Sequence, residues 1–464
     1  MSGPVGGTVS GPVSARRATV VIENCAIATV TGAEYASGHI VLAGDRITAV
    51  GPGAAPAVDG AERVDAAGCL ATPGLVNTHH HLYQWATQGM AQQATLFEWL
   101  TGLYPVWARL DAEIVRDAAG AALAWLALSG CTTTTDHHYV FPRGRGDLLE
   151  AEIAAARQVG LRFHPCRGSM DRGESRGGLP PDDIVEETEA ALVATEEAIA
   201  RHHDPSPGSM LRIAVAPCSP FSVTETLLTE AAGLARRTGV RLNTHLAETV
   251  EEDEHCREQF GRTPVEYMDS LGWLGPDVWF SHCVHLRDAD VKRFALTGTA
   301  VAHCPSSNAR LGAGVARIGD LLTAGAAVGI GVDGAASAEL APLVGELRQA
   351  LLFQRALHGP GALTARQALT LGTLGGARCL GRADEIGTLE PGKLADIALW
   401  RLDGFHAAIA DPVAALVFGA PPPLARLYVH GRAVVENGEL RTADQDSLAR
   451  AGAAARRRIQ DGER

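Results

Sequence analysis

Ala71-Thr-Pro-Gly-Leu-Val-Asn-Thr-His-His-His-Leu-Tyr-Gln84 decides the reading of this chain. A short apolar run leads directly into three histidines. Side chains alternate faces along an extended chain, so His79 and His81 share a face and His80 points away. Two imidazoles on one face can grip a metal ion, and histidine is the usual nitrogen ligand of zinc and of iron. A single His-x-His also arises by chance, so its weight depends on ligands arriving from elsewhere.

Around that stretch lies a chain of 464 residues, 46% hydrophobic and 20% charged, as in a soluble globular protein. The formal net charge of −13 comes with no basic cluster, which argues against nucleic-acid and anionic-membrane partners. No run approaches the roughly 20 apolar residues that span a bilayer. The 9 cysteines are scattered and contain no Cys-x-x-Cys pair, so a reducing cytoplasm is the expected location. Residues 1–17, rich in Gly, Ser, Pro and Val, read as a flexible leader without a signal-peptide core.

Immediately upstream, residues 18–70 hold short β-rich runs broken by turns, among them Thr19–Ile22, His39–Leu42 and Arg46–Val50. Similar runs, Ala395–Trp400 and Arg426–His430, recur near the other end. The two ends are therefore expected to form one β-sandwich, from 18–70 and 386–445, with a helical tail over 446–464. Between them, apolar strands alternate with helical segments. After the opening stretch come Cys131–Asp136, Leu161–His164, Leu211–Ala216, Val240–His245, Val278–His282, Ala300–His303 and Ala327–Asp333. The helical segments include Asp147–Val159, Asp182–His202, Thr224–Thr238 and Asp288–Thr297. Strands alternating with helices over 71–385 predict a (β/α)8 barrel, an α/β fold. Loops of about 25 and 15 residues after the first and third strands are expected to carry substrate contacts or a lid.

Barrel enzymes place their functional groups at the C-terminal ends of the strands. Here those ends carry His79 and His81, His245, His282 and Asp333. Three imidazoles and a carboxylate suit a zinc or ferrous ion with water completing its shell. Glu248, just past His245, can lean back over the site as a proton carrier, or serve as a carboxylate at a helix N-terminus. His80, His137, His138, His164 and His303 read as packing or support, and His285 as surface or support.

These residues make the chain resemble the amidohydrolase superfamily, in its mononuclear deaminase branch. The likeness rests on Pro73–His81, Thr244-His-Leu-Ala-Glu248, Ser281-His282, Val332-Asp333 and Ile386-Gly-Thr-Leu-Glu-Pro-Gly-Lys-Leu-Ala-Asp396. Binuclear relatives bridge two metals with a carboxylated lysine on the fourth strand. The only lysines here, Lys292 and Lys393, lie elsewhere, so one ion per chain is expected. His79–Gln84, Phe163–Met170 and Gly177–Asp182 are similar to 8-oxoguanine deaminases, with hydroxytriazine aminohydrolases close by. That resemblance implies Gln84 and Arg167 at the edges of a purine, with Ser169, Cys218 and His138 as further substrate contacts. A structural ion pair for Arg167 and packing for Cys218 stay open as alternatives. One departure stands out. Relatives place a serine and an asparagine after the metal-binding aspartate, where this chain has Ala335 and Ala338. Polar contacts near the eighth strand are accordingly expected to be missing.

The expected activity is hydrolytic deamination of an aminated heterocycle, with 8-oxoguanine giving uric acid and ammonia. The metal, zinc or iron, is expected on His79, His81, His245 and Asp333. The catalytic roles fall to Glu248, His282 and Asp333: Glu248 protonates the ring, His282 orients the attacking water, and Asp333 takes the water's proton. Hydroxytriazines, guanine and isocytosine are alternative substrates, and a silent barrel scaffold is the alternative of another class. Relatives of this kind form dimers or larger assemblies, so a homo-oligomer is expected. The aromatic-rich segment from Tyr83 to Val106 would then line an interface or the pocket.

Overall fold

The structure is a computed structural model that describes residues 19–461, so the leader expected over 1–17 lies outside the described residues. Cys131-Thr-Thr-Thr-Thr-Asp-His-His138 shows how the barrel is built. Its β-branched residues favour an extended chain, and every residue is buried, as strands covered on both faces require. This run is the second of eight parallel strands that close into a barrel. In order they are Leu75–Asn77, Cys131–His138, Arg162–Ser169, Ala214–Pro217, Arg241–Leu246, Val278–His282, Ala300–His303 and Val328–Ile330. The last pairs with the first through Ile330 and Asn77.

The two chain ends meet in one sheet. Its spatial order is Glu439–Leu440, Arg432–Glu436, Leu424–Val429, Ile397–Arg401, Cys69–Pro73, Thr19–Ala28, Glu34–Ala43, Arg46–Pro52, with Glu62–Asp65 branching from Thr19–Ala28. Arg46 bridges back to Leu394, so the sheet curls around a core that includes Ile22, Ile40, Ile47, Ile397 and Leu399. The expected sandwich is thus one continuous, folded-over sheet. Arg162 at the start of the third barrel strand joins it to the barrel through two 3.1 Å hydrogen bonds to the Asp396 carboxylate.

Two boundaries differ from the sequence reading. Ala71–Pro73, read with the barrel, pair with Leu399–Ile397 in the end sheet, and the chain enters the barrel only at Leu75. Gly74 marks the crossing, where a Cβ would stand 2.1 Å from the Thr132 side chain. The helix read from Asp182 begins at Thr188, because the two prolines at 180 and 181 precede it and Glu186 is drawn aside by Arg167.

The first loop folds further than its composition suggested. It forms a 3-10 turn, Leu82–Thr87, and a helix, Leu96–Trp107, begun by a Thr95–Glu98 capping box. The C-terminal helix Gln445–Asp461 lies along Ala112–Leu128, with Gly452 close against Ala121 and Trp85. No helix among the described residues is long and apolar enough to cross a membrane.

Candidate active site

The strand ends bring the histidines of the opening stretch to the others. His79 and His81 present perpendicular rings 4.7 Å apart between centroids. His245 stands 4.9 Å from His79, and His282 stands 5.1 Å from it. Asp333 Oδ1 lies 3.3 Å from Nε2 of both His79 and His81. His282 and Asp333 take left-handed φ angles of 72° and 66°, which costs non-glycine residues about 1–3 kcal/mol each. That strain turns both side chains off the strand direction and over the barrel mouth.

Each ring is held from behind. His81 Nδ1 donates to the His137 carbonyl at 2.7 Å, and His245 Nδ1 donates to the Cys218 carbonyl at 2.6 Å. His79 Nδ1 meets the Ser281 hydroxyl at 2.8 Å, and His282 Nδ1 donates to Asn308 Oδ1 at 2.8 Å. The Asp333 carboxylate accepts from the Ser307 and Ser337 hydroxyls at its second oxygen.

These bonds test whether a metal fits. With Nδ1 of His81 and His245 carrying the ring protons, their Nε2 atoms are bare, and they face each other at 3.1 Å. Nε2 of His79 is buried and faces the Asp333 carboxylate at 3.3 Å. Burial pushes protonation of His79 and His81 down to about 3 and that of His245 well below its usual range, so an added proton is disfavoured. Two bare nitrogens, with His79 Nε2 and a carboxylate beside them, suit a divalent cation. His79, His81 and His245 come within 4.8 Å of one another at their ligand atoms, as do His79, His282 and Asp333.

The proton-handling groups surround this cluster. Glu248 Oε2 lies 3.7 Å from His282 Nε2. Burial pushes the Glu248 carboxyl up to about 7, against the pull of His282. Burial opposes charge on His282, but Glu248, Asp333 and Asn308 carry its pKa above the ordinary value. Burial also opposes charge on Asp333, and the histidines outweigh it, holding the carboxyl well below its usual range.

A cavity opens over these groups. Gln84, Trp99, Tyr104, Tyr139, Cys218 and Phe221 are among its walls. Both polar atoms of the Gln84 amide, and the Tyr104 hydroxyl, are buried without a hydrogen-bond partner. A ligand in the cavity can satisfy them. Gly334 makes room for Gln84, since a Cβ there would fall 1.9 Å from its Oε1.

The other expected substrate contacts are placed differently. Arg167 is not in the cavity wall; its two terminal guanidinium nitrogens pair with Glu186 at 2.7 Å, and its charge lies 3.8 Å over the Phe141 ring. Its structural alternative is what the geometry displays. His138 turns away to Glu152 and the Val140 carbonyl, each at 2.8 Å. Ser169 ends the third strand outside the lining, its carbonyl accepting from Cys218 N. Cys218 does line the cavity, and its carbonyl also fixes His245. The expected loss of polar contacts after Asp333 is corrected by Ser337, which lines the cavity and donates to Asp333 at 3.1 Å.

A family model described as the amidohydrolase family matches residues 70–434. The chain belongs to the amidohydrolase family. It is 44% identical over 434 residues to the 8-oxoguanine deaminase of Pseudomonas aeruginosa, covering 93% of this chain and 96% of that protein. It is 37% identical to the hydroxydechloroatrazine ethylaminohydrolase of Pseudomonas sp. strain ADP, over 86% of this chain and 85% of that one. The zinc-complexed atrazine chlorohydrolase of Arthrobacter aurescens TC1 superposes with a TM-score of 0.90 at 33% identity, over 94% of this chain and all 100% of that structure. This amidohydrolase is thus a hydrolase that acts on carbon–nitrogen bonds, in the company of deaminases.

Several residues that shape this amidohydrolase site escaped the sequence reading. Asn308, Ser307, Ser281 and Ser337 orient the ionisable groups. Two carried usable signals. Ser337 lies four residues beyond Asp333 at a helix start, and Asn308 closes Cys304-Pro-Ser-Ser-Asn308 just past the seventh strand.

Proposed function

We propose that this chain hydrolytically deaminates 8-oxoguanine to uric acid and ammonia, using one divalent ion, zinc before iron. The observation that carries this reading is the Gln84 amide. Gln84 lines the cavity beside His81 and His245, its amide donor and acceptor have no hydrogen-bond partner, and the chain is 44% identical to an 8-oxoguanine deaminase. A flat oxo-purine offers hydrogen-bonding edges for such an amide and faces for Trp99 and Tyr104.

His79, His81, His245 and Asp333 would hold the ion. When bound, it would lower the pKa of a water from about 15.7 toward roughly 7 and so supply a nucleophile at neutral pH. The fourth strand, Ala214–Pro217, has no lysine, which supports a single ion. The remaining chemistry is carried by side chains. Glu248 delivers a proton to the ring nitrogen beside the amine-bearing carbon, which breaks aromaticity and makes that carbon electrophilic. Asp333 accepts a proton from the attacking water. His282, held by Asn308, donates from Nε2 to the charge that grows at the tetrahedral carbon. The proton on Asp333 passes to the departing amine, which leaves as ammonia, while the new hydroxyl gives its proton back to Glu248 and becomes the carbonyl.

The triazine-hydrolysing relatives favour hydroxytriazines as the second reading. Ammonia release from 8-oxoguanine, guanine, isocytosine and aminated hydroxytriazines, measured side by side, tests the proposal. The highest kcat/KM is expected for 8-oxoguanine; a higher value for any other compound on that panel would replace it as the substrate.

A further inference from the structure

A second group of buried acids lies behind the cavity wall. Asp136 and His138 end the second barrel strand, and Glu152 reaches them from the helix Leu148–Val159. All three are 0% exposed, and their ligand atoms fall within 4.8 Å of one another, a spacing that a metal ion could exploit. Asp136 Oδ2 and Glu152 Oε2 have no donor.

The hydrogen bonds show what is missing. A carbonyl oxygen only accepts, so His138 Nε2, 2.8 Å from the Val140 carbonyl, carries hydrogen. Its Nδ1 then faces Glu152 Oε1 at 2.8 Å. Asp136 Oδ1 accepts the Leu82 backbone N–H at 2.6 Å, and its carboxyl meets that of Glu152. Two contacts therefore lack a hydrogen, one between His138 and Glu152 and one between Glu152 and Asp136. A proton on each carboxyl fills both. The bonds then run from Leu82 N–H to Asp136, from Asp136 O–H to Glu152, from Glu152 O–H to His138, and from His138 N–H to Val140. Every link is satisfied and the net charge is zero, the arrangement that full burial favours. In accord with this, burial pushes Glu152 up to about 8 and His138 down to about 4.

We propose that Asp136, Glu152 and His138 form a charge-neutral, proton-sharing clamp that positions the turn carrying Gln84, and that they hold no metal. Leu82 opens that turn, and the His138 ring meets the Tyr83 ring edge-on at 5.0 Å between centroids. The clamp thus grips the two residues that precede Gln84. This inference rests on Gln84 contacting the substrate.

Asparagine and glutamine copy the donor and acceptor of a neutral acid. With zinc-loaded enzyme and 8-oxoguanine, Asp136→Asn and Glu152→Gln are expected to keep kcat and KM within about twofold of the parent. Glu152→Leu, which cannot pass the proton on, is expected to raise KM about tenfold with a smaller effect on kcat and unchanged zinc content. The infrared carbonyl stretch of a protonated carboxyl is expected in the parent and weakened in Asp136→Asn. Large activity losses in folded Asp136→Asn and Glu152→Gln would overturn the neutral clamp, as would a second zinc per chain that Glu152→Gln abolishes. If Glu152→Leu does not fold, the two amide variants decide. Gln84→Ala separates the failures. Unchanged KM in Gln84→Ala defeats the substrate role of Gln84, whereas raised KM there with normal KM in folded Glu152→Leu defeats the clamp.

Discussion

Nε2 of His81 and Nε2 of His245 face each other at 3.1 Å, and both rings have already committed their protons to backbone carbonyls. Two lone pairs held this close repel unless a cation lies between them. The carbonyls come from His137, beside the second strand's end, and Cys218, beyond the fourth. Backbone from two other strands therefore fixes the tautomers of the first and fifth.

Asn308 fixes His282 in the same manner, through a 2.8 Å bond to Nδ1. Removing such an outer partner typically costs about 10–100-fold in activity or metal affinity. Asn308→Leu is expected to lower kcat by that amount with metal content unchanged, because His282 is oriented by Asn308 and is not in the proposed ligand set. Steady-state kinetics with elemental analysis on the same sample checks this.

Glu248 must be protonated to donate, and burial places its pKa at about 7. The acid form is present below that value and is lost as pH rises through it. The kcat/KM profile is therefore expected to fall on its basic side near pH 7, and a bound cation would move that limb lower. Glu248→Gln is expected to lose about 10²–10⁴-fold in kcat and to lose this limb. Near-normal turnover in the variant would show that the proton travels by another route.

Gly334 has an ordinary backbone, with φ −73°, so its importance is spatial. A Cβ would meet Gln84 Oε1 at 1.9 Å. Gly334→Ala is expected to displace the amide and raise KM about tenfold, the cost of roughly one hydrogen bond, with little change in metal content. Substrate titration of the variant is the check.

Arg162 and Asp396 tie the barrel to the end sheet, and their side chains are 0% and 2% exposed. Removing one partner strands the other charge in the interior. Arg162→Ala is expected to destabilise the fold by about 3–5 kcal/mol, readable in denaturant unfolding.

How far the sequence revealed this site depended on the range of the physics involved. Alternation along a strand is local, so His79 and His81 could be paired and His80 set aside from the sequence alone. The barrel rim gathers strand ends, so His245, His282 and Asp333 were legible once the strands were counted. Partner choice across space was not legible. Arg167 sits near a strand end like the others, but it pairs with Glu186, nineteen residues on, and lies over Phe141. His138 likewise follows His137 on a rim-facing strand but turns into the interior to Glu152. Helix Leu96–Trp107 was hidden because Trp, Tyr and Phe are weak helix formers, although its aromatic content left a place in the pocket wall open.

Turnover of 8-oxoguanine during stepwise addition of zinc to metal-free enzyme tests the central claim most directly. Uric acid formation is expected to rise linearly and to level off at about one zinc per chain. Full turnover without metal, a plateau at two ions, or no uric acid at any zinc level would contradict it.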